Sequence, residues 1–134
     1  MKRLEVGRIG ALAFIKAALY GLFYWVGLIS LRKALEKNFK LMAGLSYKEF
    51  ISLFQSLPLM PDVDTVFEEL RRGGFKTALI SSGIPRVALE RLAERLGADY
   101  VAGPEIGVSE GHLTGEVWGG VIEPEGKAIA LMEI

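Results

Sequence analysis

The apolar positions change character along this chain, and the changes mark its elements. From Ile9 to Leu31 the sequence IGALAFIKAALYGLFYWVGLISL is almost unbroken apolar residues, with Lys16 its single charge. The next stretch, LRKALEKNFKLMAGL, places Leu31, Leu35, Phe39 and Met42 at helical spacing and predicts an amphipathic helix. Further on, Val63, Val66, Phe67 and Leu70 form the apolar stripe of another helix, with Asp62 placed to cap its N-terminus. Lys76 to Ile80 is a short apolar run after Gly73 and Gly74, which predicts a buried strand fed by a turn. A charged amphipathic helix, VALERLAERLG, follows it. Asp99 to Ala102 predicts a second short strand, and Ile106–Val108 with Leu113–Val117 alternate around Glu110 and Gly111 as a β-hairpin. Glu125, Gly126 and Lys127 open a last helix.

The junction between Ile80 and the following helix carries the clearest chemistry. Ser81 falls at the C-terminal end of the strand, Gly83 allows a close turn, and Pro85 suits the first helical position. The amides around Ser82 and Gly83 are therefore expected to point outward at a helix N-terminus, where they would favour an anion. Taken alone, Ser81 and Ser82 are as well explained as helix caps.

The order of strand, SSG, helix, GADYV, GHLTGEV and EGKA resembles the phosphoserine-phosphatase-like branch of the haloacid dehalogenase (HAD) superfamily of phosphohydrolases. The match is close over roughly the last half of the chain. It implies an α/β fold, a partial HAD-type Rossmann-like core over residues 58–134, with an N-terminal helical cap region over residues 1–57. By the same resemblance Ser81 is the second-motif hydroxyl that binds a phosphoryl oxygen, with the Ser82 and Gly83 amides assisting. Lys127 is the third-motif lysine that neutralises charge shared by nucleophile and phosphate. Both roles suit phosphoryl transfer, which is catalysed mainly by positioning and by stabilising charge on the transferred oxygens. A lysine at a helix start otherwise faces a slightly unfavourable dipole.

The resemblance also implies a first-motif Asp-x-Asp at a strand end, whose leading aspartate becomes an aspartyl-phosphate, and a last motif of acidic residues that help to bind Mg2+. Neither falls where expected between Met1 and Ile134, so the chain is expected to be the middle of a phosphatase and inactive alone. Asp62-Val63-Asp64-Thr65-Val66 fits the literal first-motif pattern, but Pro58 and Pro61 interrupt the run that should precede it. The capping reading of Asp62 is preferred, with a rearranged site using Asp62 or Asp64 as the alternative.

Phosphoserine phosphatases carry an arginine six residues before the glycine of a "kGL" turn, where it grips the substrate carboxylate. Aligning that turn on Gly44 and Leu45 places Asn38 there. Asparagine has no charge, and Lys37 lacks the planar fork. Phosphoserine is therefore not the expected substrate, although a small phosphorylated substrate is.

The apolar run before Leu31 admits several readings. It is long enough to span a bilayer, yet Lys16 and the recurring glycines argue for packed cap helices, the preferred reading. Tyr20, Phe23, Tyr24 and Trp25 lie between Lys2, Arg3 and Arg8 on one flank and Arg32, Lys33 and Lys37 on the other, which also suits contact with a membrane surface. It lacks the cleavage-site pattern of a secretory signal. The protein is expected in the cytoplasm, with membrane association as the alternative.

Composition narrows the remainder. Sixteen basic residues balance sixteen acidic ones, and the charges are interleaved on helix faces such as EELRRGG and RLAERLG. Nothing marks a nucleic-acid surface. Cysteine is absent, which excludes disulfides, thiolate metal sites and a cysteine nucleophile. The sole histidine, His112, falls in the hairpin turn as an exposed bystander. The mean hydropathy of +0.32 is high for a small domain, and the SSG strand lacks its motif-one neighbour. Self-association is expected. A non-catalytic anion-binding, membrane-surface or assembly module on the same scaffold is the alternative function.

Overall fold

The computed structural model describes residues 15–134. Residues 9–14 of the apolar run, and Lys2, Arg3 and Arg8 beside it, lie outside the described residues.

Residues 15–25 are helical. Gly27 ends this helix in a left-handed conformation at φ 81°. Its N–H bonds the Tyr24 carbonyl at 3.0 Å while the Leu28 N–H reaches back to Phe23 at 2.8 Å, a Schellman closure. Helix α1 (Leu31–Lys40) follows, capped by Ser30, whose hydroxyl accepts from the Lys33 amide. Helix α2 (Tyr47–Ser56) is capped in the same way by Ser46 and Glu49. Helix α3 spans Val63–Arg72. Strand β1 (Ala78–Ile80), helix α4 (Arg86–Leu96) and strand β2 (Tyr100–Ala102) then form a β-α-β unit. β1 and β2 pair in parallel, Leu79 opposite Val101. Strands β3 (Glu105–Ser109) and β4 (His112–Trp118) pair antiparallel with a bulge between Ile106 and Val108. A 3₁₀ turn at Gly120–Ile122 leads to helix α5 (Gly126–Met132).

The hydrophobic cluster is built where α1, α2, α4 and the hairpin meet. Phe39, Phe50, Ile51, Ala88, Leu113 and Val117 form its buried centre. Phe50 and Phe54 meet edge to face with ring centroids 5.1 Å apart. The hairpin is also stitched to the turn after α1. Gly44 donates to the Leu113 carbonyl and Leu113 to the Leu45 carbonyl, each at 2.8 Å. The core therefore draws on residues from both sides of position 57.

Several expectations are corrected. β1 begins at Ala78 because Thr77 is taken up at the entry to β2: its N–H donates to the Asp99 carboxylate at 2.9 Å and its carbonyl accepts from the Asp99 and Tyr100 amides. Asp62 precedes α3 but does not cap it. Its backbone is left-handed at φ 66° and its side chain makes no capping bond, since a cap needs extended backbone to aim its oxygen at the first amides. The α3 stripe is only partly covered, with Val66 53% exposed, because among the described elements α3 packs chiefly on α4. The apolar residues 15–28 are likewise mostly exposed rather than buried in a bundle of cap helices. Among the described residues no helix is long and apolar enough to cross a membrane.

Candidate functional site

The site grows from the end of β1. The Ser81 N–H donates to the Ala102 carbonyl at 3.0 Å, extending the parallel ladder one residue beyond the strand. That bond fixes where the chain leaves the sheet. The Ser81 hydroxyl then accepts from the amides of Gly83 at 3.3 Å and Ile84 at 3.1 Å. Of the amides expected to point outward, that of Gly83 is instead bonded to Ser81 Oγ, together with that of Ile84. α4 begins at Arg86, with Pro85 at the cap position rather than the first helical one.

Ser82 is turned the other way. It is buried, 7% exposed, and its hydroxyl donates to the Val121 carbonyl at 2.7 Å. That carbonyl belongs to the 3₁₀ turn leading into α5. From the far side the same turn is met by Gly126, where a Cβ would fall 2.0 Å from the Gly120 oxygen and 2.8 Å from the Val121 Cα. Only glycine permits that approach. Ser82, Val121 and Gly126 thus clamp the SSG loop and the start of α5 onto one short turn. Lys127 is the next residue of α5, exposed, and has no ion-pair partner among the described residues.

Helical elements close over the loop from the N-terminal side. Leu35 of α1 approaches Gly83, its Cδ2 4.0 Å from where a Cβ would lie. Asn38 follows three residues further along α1, and its Oδ1 is buried without a hydrogen-bond partner among the described residues. An unmet buried oxygen of this kind costs about 1–3 kcal/mol.

Sequence reasoning did not single out Arg86 or Val121. Arg86 engages Glu90 and Glu105 together, its Nη2 reaching Glu105 Oε2 at 3.2 Å. The Glu105 hydrogen bond holds its guanidinium above the ordinary arginine value. The pairing with Glu90 is legible as an i, i+4 spacing, whereas the one with Glu105 needs the fold. Val121 acts through a backbone carbonyl, which leaves no signature in a side chain.

The remaining candidates lie elsewhere. Asp62 and Asp64 are at the start of α3, not at a strand end, and Asp64 pairs with Arg95 at 3.2 Å. His112 is exposed at the start of β4, its Nδ1 2.9 Å from the Glu110 carbonyl. A groove of about 390 Å³ between α2 and α4 includes Ile84, and a cavity of about 360 Å³ beside the 3₁₀ turn includes Val121 and Gly126. Neither is lined by Ser81 or Lys127. Among the described residues no group of three or more His, Cys, Asp or Glu side chains is placed to hold a metal ion. The described residues do not gather the carboxylates that the magnesium implied by the resemblance would need.

This arrangement, a parallel β-α-β unit with a serine loop at the strand end and a further helix clamped beside it, is an α/β core. The chain belongs to the haloacid dehalogenase-like hydrolase family, whose profile matches residues 1–134. Over 107 residues it is 35% identical to a phosphoserine phosphatase of Mycobacterium tuberculosis, covering 80% of this chain and 26% of that protein. It is 32% identical over 108 residues to one of Archaeoglobus fulgidus, covering 81% of this chain and 31% of that protein. Its fold matches a phosphoserine phosphatase solved as a phospho-aspartyl intermediate analogue, with TM-score 0.79 at 23% identity over 93% of this chain and 60% of that one. The chain therefore spans about a quarter to a third of the length of these curated relatives.

Proposed function

We propose that this chain carries the phosphate-holding part of a phosphomonoester hydrolase that works through an aspartyl-phosphate on a small phosphorylated substrate. The Ser81 hydroxyl and the Ser82 and Gly83 amides bind phosphoryl oxygens. Lys127 neutralises the charge that builds on them during transfer. When a phosphoryl oxygen arrives, the Gly83 amide changes acceptor from Ser81 Oγ to the ligand, and the hydroxyl turns to donate.

The observation that carries this reading is the clamp of Ser82 and Gly126 on the 120–122 turn. It ties the serine loop and the lysine helix, forty-odd residues apart in sequence, to one rigid element. Ser82 contributes to phosphate through its backbone, since its hydroxyl is committed to Val121. Asn38 stands where a carboxylate-gripping arginine would be needed, so phosphoserine is not the preferred substrate. No step is routed through magnesium, whose carboxylate ligands are not gathered among the described residues.

The test has two parts. Assayed as it stands, the 134-residue chain is expected to give no turnover of p-nitrophenyl phosphate above the blank, because no aspartate stands at the C-terminal end of a described strand. Inorganic phosphate is expected to bind weakly, and Ser81→Ala to weaken it about tenfold by removing a hydrogen bond to a charged ligand. Clear turnover, or phosphate binding indifferent to Ser81 and Lys127, would overturn the assignment.

A further inference from the structure

Helices α2 and α4 pack on each other, with Ile51 of the first and Ala88 of the second in the buried cluster. After α2 the chain turns extended at Leu57, with ψ 131°, the conformation favoured before a proline. Leu57, Pro58 and Leu59 then run on as a third wall beside the two helices. The space left is the groove of about 390 Å³, within the roughly 300–1,000 Å³ typical of small-molecule sites. Phe54 and Leu57 line one side, Ile84 and Leu92 the other. All four are at least partly exposed, so these apolar walls are open to solvent.

The face that α4 gives to the groove is graded. Ile84 and Ala88 come first, then Arg91, Leu92 and Arg95 at three, four and seven residues past Ala88, which is one stripe of a helix. Apolar side chains therefore lie nearer the serine loop and the guanidinium groups further along, Arg95 about 14 Å from the helix start at 1.5 Å per residue. Arg95 engages Asp64 of α3 through Nη2 at 3.2 Å, an exposed pair and hence a weak one. Arg91 has no carboxylate partner among the described residues. These two arginines are the charged residues lining the groove, and no acidic residue lines it.

We propose that this groove is a binding site, separate from the serine loop, for a small amphipathic carboxylate. Its apolar body lies against Phe54, Leu57, Ile84 and Leu92, and its two oxygens accept from Arg91, whose planar fork matches a carboxylate. Arg95 adds a second positive charge at the same end. Charge complementarity selects this occupant over the others. A cation would meet two arginines and no acid, and a neutral apolar molecule would leave the Arg91 donors without an acceptor.

The inference does not depend on the role of Ser81. It is tested by adding octanoate to the full chain while the methyl resonances of Ile51 and Ile84, which both line the groove, are followed. The expected result is that both shift along one saturable curve, and that octanol, the same chain without the charge, binds about tenfold more weakly for want of a charged hydrogen bond. Arg91→Gln lowers octanoate affinity about tenfold and leaves octanol affinity unchanged, a split that general loss of structure would not produce. Leu57→Glu, at a position 56% exposed, sets a carboxylate on the groove wall and abolishes octanoate binding with the circular dichroism spectrum unchanged. Absence of saturable shifts, equal affinity for octanol and octanoate, or displacement of octanoate by inorganic phosphate would each overturn the proposal.

Discussion

The region around Ser82 and the region around Trp25 treat their side chains in opposite ways. In the first, a small polar side chain is buried and aimed at a backbone carbonyl, and a glycine is forced by a neighbouring backbone. In the second, large apolar side chains face solvent from a helix whose polar side is fastened to α1. The first organises atoms inside one chain, and its substitutions should cost stability. The second leaves apolar area in solvent, and its substitutions should leave the fold in place.

That contrast breaks most sharply at Gly126. Gly126→Ala drives a methyl into the Gly120 carbonyl and is expected to cost about 3 kcal/mol, read as a lowered denaturant midpoint at unchanged slope. Ser82→Ala should follow at about 1–3 kcal/mol, since Val121 loses its donor. It should also weaken phosphate binding although Ser81 and Lys127 are intact, and an unchanged affinity would show that the clamp does not set the site.

Arg86 gives a smaller effect. Its partners are more than a third exposed, so Arg86→Gln should cost no more than about 1 kcal/mol, and less at high salt. Because its pKa is raised above the ordinary arginine value by the Glu105 hydrogen bond, this contribution is fully present below the unfolded value and is lost only as pH climbs through the folded one. Stability measured between neutral and mildly alkaline pH should show no step from this residue. Asn38→Leu is expected to be the mildest, neutral or slightly stabilising, because it removes a buried oxygen with no partner. Marked destabilisation in calorimetry would mean that Asn38 has a role in holding α1.

The two regions were also unequally legible. The C-terminal strand ends at Ile80 and Ala102, the hairpin around Glu110 and Gly111 and the glycine before Lys127 follow from local rules, because short apolar runs and turn residues leave little choice. The partners of those residues do not. Ser82 looks like a helix cap until Val121 is seen beneath it, and Glu105 reaches Arg86 only once the start of β3 comes beside the start of α4. Asp62 shows a local rule failing, since a left-handed backbone removes the geometry that capping requires. In residues 15–28 the sequence shows that the helix is apolar, but Tyr20 and Lys37 decide which side turns outward, and that is a tertiary contact.

The central claim is that Ser81 and Lys127 hold one phosphate through a shared clamp. Amide chemical shifts followed while inorganic phosphate is added to the full chain test it directly. The account predicts that residues 81–84 and 126–127 shift together along one saturable curve, and that Ser81→Ala flattens the response at both places. Shifts confined to the Lys33–Lys40 face, or two unrelated curves at the serine loop and the lysine helix, would contradict it.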